Sequence, residues 1–263
     1  MRIIRLELYR AFHSRTFYIS LLIGFLICVL DLVTFCAQFG IGGRWYLAQA
    51  WIGTDYRFVY NTLFYILLPV IACLPYGGSL YTDMQSGYDK NICIKVSRLN
   101  YSVAKGSAVF LSAFVSVALP LAVDLFIAAG LYSNYLPERL EFMSVGLLDR
   151  NLFTTICNFH PLLYALLFIL IDGLFAGAIA LISLSISRLV KSHFTAVVTP
   201  MVIYITSSIF MQGDNYGNWG VIYMLNPYPV VPTLWYQMLI AYIVIFGVDC
   251  LIIWLITRKR DVL

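Results

Sequence analysis

Charge is scarce in this sequence. Only 11% of its 263 residues are Asp, Glu, Lys or Arg, against about 25% in a soluble domain. A soluble core of this length would still leave roughly a quarter of the chain's surface in water. Its 17 basic and 13 acidic residues are too few to coat that surface. With 61% hydrophobic residues and a mean hydropathy of +0.85, most of the chain has lipid as its solvent. A secreted domain, a nucleic-acid binder and an ordinary cytosolic enzyme are excluded.

Catalytic signatures are missing too. There is no G-x-x-x-x-G-K-[ST] phosphate loop, no H-E-x-x-H and no G-x-S-x-G. His13, His160 and His193 lie far apart near predicted membrane boundaries, which suits interfacial anchors better than metal ligands. Cys28, Cys36, Cys73, Cys93, Cys157 and Cys250 show no C-x-x-C spacing and fall mostly in apolar runs. They read as small packing residues, so neither a disulfide framework nor a metal site is expected. The chain itself is expected to be no enzyme and to hold no cofactor.

What the sequence has is apolar length. A bilayer-crossing helix needs about 20 predominantly apolar residues. Six stretches qualify, over about 16–37, 58–82, 102–132, 161–187, 192–211 and 233–257. The expected fold class is therefore all-α: a polytopic membrane protein of six transmembrane helices in one domain over 1–263. Thirteen of the seventeen basic residues gather on one side of these spans: Arg2, Arg5, Arg10, Arg15, Lys90, Lys95, Arg98, Lys105, Arg188, Lys191, Arg258, Lys259 and Arg260. The positive-inside rule then predicts a multi-pass cell-membrane protein with both termini in the cytoplasm. The apolar run after Arg15 is too long for a cleaved signal peptide, so retention is expected.

Residues 1–15 place Ile4, Leu8, Ala11 and Phe12 on one helical face and Arg2, Arg5, Glu7, Arg10 and His13 on others. That pattern predicts an amphipathic helix in the cytoplasmic interface; a positive tail that only fixes topology is the plainer alternative. Near the other end, Pro227, Pro229 and Pro232 sit in an uncharged aromatic segment, residues 215–248. Short broken helices entering the outer leaflet are expected there before the last span.

Four carboxylates interrupt the spans: Asp31, Asp124, Asp172 and Asp249. A charge there is costly and faces protein or water. Each reads either as polar lining of a translocation route or as a structural group bonded to neighbouring helices. Asp172, midway along its span, has the greatest burial cost. In the same span Gly173-x-x-x-Gly177 and the row Ala176, Ala180, Ser183 and Ser187 predict a close helix seam.

The loop of residues 83–101 mixes charges with Ile92, Ile94 and Val96, flanked by Asp89, Lys90, Lys95 and Arg98. A linker needs no such apolar residues, whereas a surface that docks a partner does. Gly87 is placed to turn the chain into a short helix. Asp83, Gly87, Ser97, Arg98, Tyr101 and Lys105 follow the order of an acidic residue, a glycine, an apolar–basic helix, a Ser/Arg pair, an aromatic and a lysine.

On these residues, and on the basic N-terminal helix, six spans and proline-containing segment, the chain resembles an ABC-2-type permease over essentially its whole length. Such permeases are the membrane subunits of type V, exporter-like ABC transporters. Their acidic position is often Glu where this chain has Asp83. The resemblance implies a cytoplasmic ATPase subunit that binds ATP and Mg, and a second permease subunit, identical or different, in the membrane. It implies that Asp83, Gly87, Ile92, Ile94, Val96, Arg98 and Tyr101 form the coupling element. The implied activity is export of an amphipathic peptide, antibiotic or lipid-like cargo. A non-transporting anchor or sensor subunit is the first alternative, and an intramembrane enzyme the second.

Overall fold

The computed structural model describes residues 2–41, 46–54, 59–132, 152–153, 156–157, 160–188, 190, 192–211, 219–227 and 233–259. Most of residues 133–158, between the third and fourth predicted spans, lie outside the described residues, as do Tyr228, Pro229 and Pro232 of the proline segment.

The described chain is helical. In order it forms α1 (Arg2–Phe12), α2 (Arg15–Phe39), α3 (Leu47–Ala50), α4 (Val59–Cys73), α5 (Ser79–Gln85) and α6 (Tyr88–Cys93). Then come α7 (Arg98–Leu131), α8 (Pro161–Ile186), α9 (His193–Phe210), α10 (Val221–Leu225) and α11 (Trp235–Lys259). Five of these, α2, α7, α8, α9 and α11, are long and apolar enough to cross a membrane. The molecule is thus a polytopic helical membrane protein.

The second predicted span takes a different form. α4 has 15 residues, about 22 Å at 1.5 Å per residue, short of a hydrocarbon core of about 30 Å. The apolar run continues to Thr82, but Pro75 cannot donate a backbone hydrogen bond, and Gly77 and Gly78 follow it. The chain turns at 74–78 and restarts as α5.

Polar caps set the other boundaries. Ser14 Oγ accepts from Phe17 N at 3.1 Å and opens α2. Ser97 Oγ accepts from Asn100 N at 3.4 Å and opens α7. At 34 residues α7 is about 51 Å long, enough to carry its first turns beyond a membrane core.

α8 is the most enclosed of the long helices, and it packs against α7, α4, α9 and α11. Its glycines explain the close approach to α7. A Cβ added at Gly173 would lie 2.7 Å from the Phe114 ring, and one at Gly177 would lie 2.6 Å from the Phe110 ring. The row of small residues faces elsewhere: Ala176 and Ala180 are buried, and Ser183 Oγ donates to Ala196 O of α9 at 2.8 Å. Both seams lie within one copy of the chain. The outward faces of α2, α9 and α11 carry exposed Leu, Ile, Val and Phe, as a lipid-facing surface requires.

Candidate functional site

The densest polar chemistry lies where α1, the 74–78 turn, α5 and the start of α7 meet. Glu7, Asp83 and Lys105 are 0%, 2% and 1% exposed. Lys105 Nζ donates to Glu7 Oε2 at 3.1 Å, to the Tyr76 hydroxyl at 3.2 Å and to Asp83 Oδ2. Arg10, one helical turn after Glu7, donates to Glu7 Oε1 at 3.0 Å and to Asp83 Oδ1 at 2.8 Å. Tyr76 donates to Glu7 Oε2 at 2.8 Å, and Tyr101 donates to Asp83 Oδ2 at 2.7 Å. Two carboxylates and two cations therefore close on one another, with two phenols filling the remaining acceptor positions.

Each charge depends on the rest. Burial alone would raise the Asp83 carboxyl. The hydrogen bond from Arg10, the charge and hydrogen bond of Lys105, and the bond from Tyr101 overcome that and hold it below the usual carboxylate range. Burial works to depress the Arg10 guanidinium, and its bond to Asp83 together with the nearby anionic groups raises it. Removing one partner from such a buried pair costs about 3–5 kcal/mol, because the other charge is left uncompensated. α1, α5 and the N-terminal turns of α7 are thereby tied into one body. The Arg10 guanidinium also lies 4.5 Å from the Tyr88 ring centroid, which brings α6 into the same unit.

The resemblance supplied Asp83, Tyr101 and Lys105, and the structure brings them together. Glu7, Arg10 and Tyr76, which lie outside that pattern, complete the network. The helical period of residues 1–15 puts Glu7 on a polar face; in the structure it is buried against Lys105, so α1 docks on α7 rather than resting in the headgroups alone. The signal was one acid in an arginine-rich stretch, one turn before Arg10.

The expected docking residues diverge. Gly87, with φ of 71°, opens α6. Ile92 is half-buried and packs on the core, Val96 is half-buried, and Ile94, beyond the end of α6, is 83% exposed. Arg98 is exposed at the first turn of α7.

The four intramembrane carboxylates are all buried, and Asp31 and Asp124 both lie near Cys28. Asp172 accepts from the Tyr65 hydroxyl at 3.0 Å, while its Oδ1 has no partner among the described residues. Asp124 Oδ2 accepts from Ile52 N at 3.2 Å. Asp249 lies on α11, and Asp31 on α2. Among the described residues no three His, Cys, Asp or Glu side chains gather to hold a metal.

The Asp124 bond belongs to a second polar assembly, at the end opposite the charge network. Between the first two predicted spans, where an open loop is the simplest reading, Leu47 and residues 50–54 are buried. Trp51 Nε1 donates to Leu121 O at 3.3 Å, and Asn61 Nδ2 donates to Ile52 O at 2.8 Å and Gly53 O at 2.9 Å. Asn61 and Asn226 exchange side-chain hydrogen bonds of 3.3 and 2.8 Å, and Tyr164 donates to Pro227 O at 2.8 Å. Satisfied backbone is what lets non-helical chain sit at membrane depth. Trp51 and Ile52 were the readable hint, since an aqueous loop has no use for them.

Fold and sites together define a polytopic helical membrane protein with a charge-locked end and a capped end. The chain matches no family model, no curated protein and no solved structure.

Proposed function

We propose that this chain is the permease subunit of an ATP-binding-cassette exporter of the ABC-2 type, moving an amphipathic peptide, antibiotic or lipid-like cargo. Two copies, or this chain and a related one, form the pathway, and separate cytoplasmic subunits bind and hydrolyse ATP. In this reading the chain crosses the cell membrane six times, with residues 58–82 making the second crossing, and both termini are cytoplasmic.

The observation that carries the reading is the four-charge network. An element that receives a push from an ATPase must pass it on without deforming. Glu7, Arg10, Asp83 and Lys105 bind the 79–97 segment to the N-terminal helix and to the longest span through ion pairs that are buried at Lys105 and part-buried at Arg10. Ile94, exposed at the tip of that segment, is the contact residue.

The test is co-purification of the tagged chain with its cytoplasmic partner. A vanadate-sensitive ATPase in the complex supports the reading. Ile94→Asp should leave the chain inserted and folded but lower the ATPase yield and its coupled hydrolysis. Recovery of the chain without any ATPase, or full ATPase retention by Ile94→Asp, overturns it.

A further inference from the structure

Toward the end of the bundle that carries the charge network, Asp249 of α11 faces Ser185 of α8. The two residues are 3% and 4% exposed, and Asp249 Oδ2 and Ser185 Oγ have no hydrogen-bond partner among the described residues. Cys73 of α4 and Cys250, the next residue of α11, are ionisable side chains beside the carboxyl. Ser185 also lines a crevice of about 10 Å³, together with the polar side chains of Ser102, Lys105 and Arg188. Ile253, one turn after Asp249, lines it too. That volume suits one water molecule and nothing larger. Lys105 spends its three donors on Glu7, Tyr76 and Asp83, and Arg188 Nη2 donates to Ser102 Oγ at 3.3 Å. The Ser185 hydroxyl is therefore the polar group of this wall that still seeks a partner. The crevice shares Leu80, Ser102 and Arg188 with a wider cleft of about 160 Å³, which the exposed Lys90 and Arg98 also line.

We infer that Asp249 is a proton-binding site within the membrane bundle, loaded and unloaded from the charge-network end through the Ser185 hydroxyl and one water in the crevice. A lone carboxylate inside a span is costly, and a bound proton cancels its charge. A hydroxyl both donates and accepts, so Ser185 can pass a proton along without keeping it. In the loading step a hydronium in the crevice gives one proton to Ser185 Oγ while the hydrogen already on Ser185 moves to an Asp249 oxygen. One O–H bond breaks at the hydronium and one forms at the carboxyl, which leaves a water, an intact serine and a neutral acid. Unloading is the same step reversed. The wider cleft supplies the solvent at the outer end of this path. The assignment goes beyond the transport reading and needs neither ATPase nor cargo, so it is tested on the chain alone.

The experiment is infrared spectroscopy of the purified full-length chain in a neutral detergent, over a series from about pH 4 to about pH 9. The reading is the carbonyl band of protonated carboxyl groups and its shift on transfer to heavy water. Wild type should show a component that Asp249→Asn lacks, and that component should shift promptly as its proton exchanges. Ser185→Val removes the relay hydroxyl and fills its space. It should slow the shift by about tenfold or more, the factor that one lost hydrogen bond supplies. Ser185→Cys keeps nearly the same shape with a weaker donor and should slow the shift too, which keeps the test decisive where the valine variant fails to fold. Asp172→Asn, about 20 Å from Ser185 along α8, should change neither the Asp249 component nor its rate. Absence of an Asp249-dependent component at every pH overturns the proton site. A component that stays unshifted for hours in heavy water is a sealed structural proton and overturns the assignment as well. Wild-type exchange in both Ser185 variants overturns the path through Ser185.

Discussion

Lys105 and Glu7, 98 positions apart in sequence, meet at 3.1 Å with both side chains fully enclosed. The pair survives burial because each member has other partners: Lys105 also reaches Asp83 and Tyr76, and Glu7 also receives Arg10 and Tyr76. Lys105→Met should cost about 3–5 kcal/mol, seen as a large fall in the Tm of the solubilised protein. Adding Glu7→Gln removes one of the stranded charges. The double variant should therefore lose less stability than the sum of the singles.

Acid should loosen the same end of the molecule. Asp83 is held below its ordinary value, so its contribution is fully present above the unfolded carboxyl value of about 3.9 and is lost as pH falls through the lower folded value. Corrected for intrinsic rates, the hydrogen-exchange protection of α1 and α5 should be unchanged from pH 7 to about 5 and should fall below about pH 4. Asp83→Asn should abolish that acid-dependent step, starting from a lower baseline.

The α7–α8 seam depends on the absence of side chains. Gly177→Ala puts a carbon against the Phe110 ring and should cost about 1–3 kcal/mol. Phe110→Leu in the same chain should restore part of the loss, and a double-mutant cycle on Tm would show the coupling. Strict additivity would mean that the two residues do not meet.

Asp172 uses one oxygen as acceptor for Tyr65, a role that an amide oxygen can fill. Asp172→Asn should keep yield and Tm close to wild type. Asp172→Leu strands the Tyr65 hydroxyl in the core and should cost about 1–3 kcal/mol. If Asp172→Asn is as damaging as Asp172→Leu, the carboxylate has a duty beyond this bond.

Thiol accessibility separates the two ends. On a background with the accessible native cysteines replaced, Ile94→Cys should react rapidly with a water-soluble maleimide, and Ile52→Cys should resist it in the folded protein. Comparable rates at the two positions would mean that the 46–54 segment is not seated as described.

Hydropathy was enough to read the long helices, because a membrane span is set by apolar length and little else. The same reasoning overran at 74–82, where composition stays apolar while Pro75, Gly77 and Gly78 end the helix. The N-terminal helix was legible from its period, but the burial of Glu7 was not. Its partners stand at positions 76 and 105, and one acid among arginines looks like part of a solvated face. Asn61 and Asn226 were equally hidden, since lone amides in apolar chain announce no partner 165 positions away. Asp83 and Lys105 both stand in the motif read from the sequence, but their pairing across 22 positions was not legible there.

The charge network also sets an order of events during synthesis. Glu7 emerges first, and its partners Tyr76 and Lys105 follow 69 and 98 residues later. At about 5–20 residues per second, the ribosome leaves that carboxylate without its lysine for roughly 5–20 s. Throughout that interval α1 waits at the water boundary, because Glu7, even beside Arg10, lacks the buried lysine that completes its seat. It takes its seat only when the apolar segment that carries Lys105 has begun to emerge, so α1 is fixed in place well after its own synthesis.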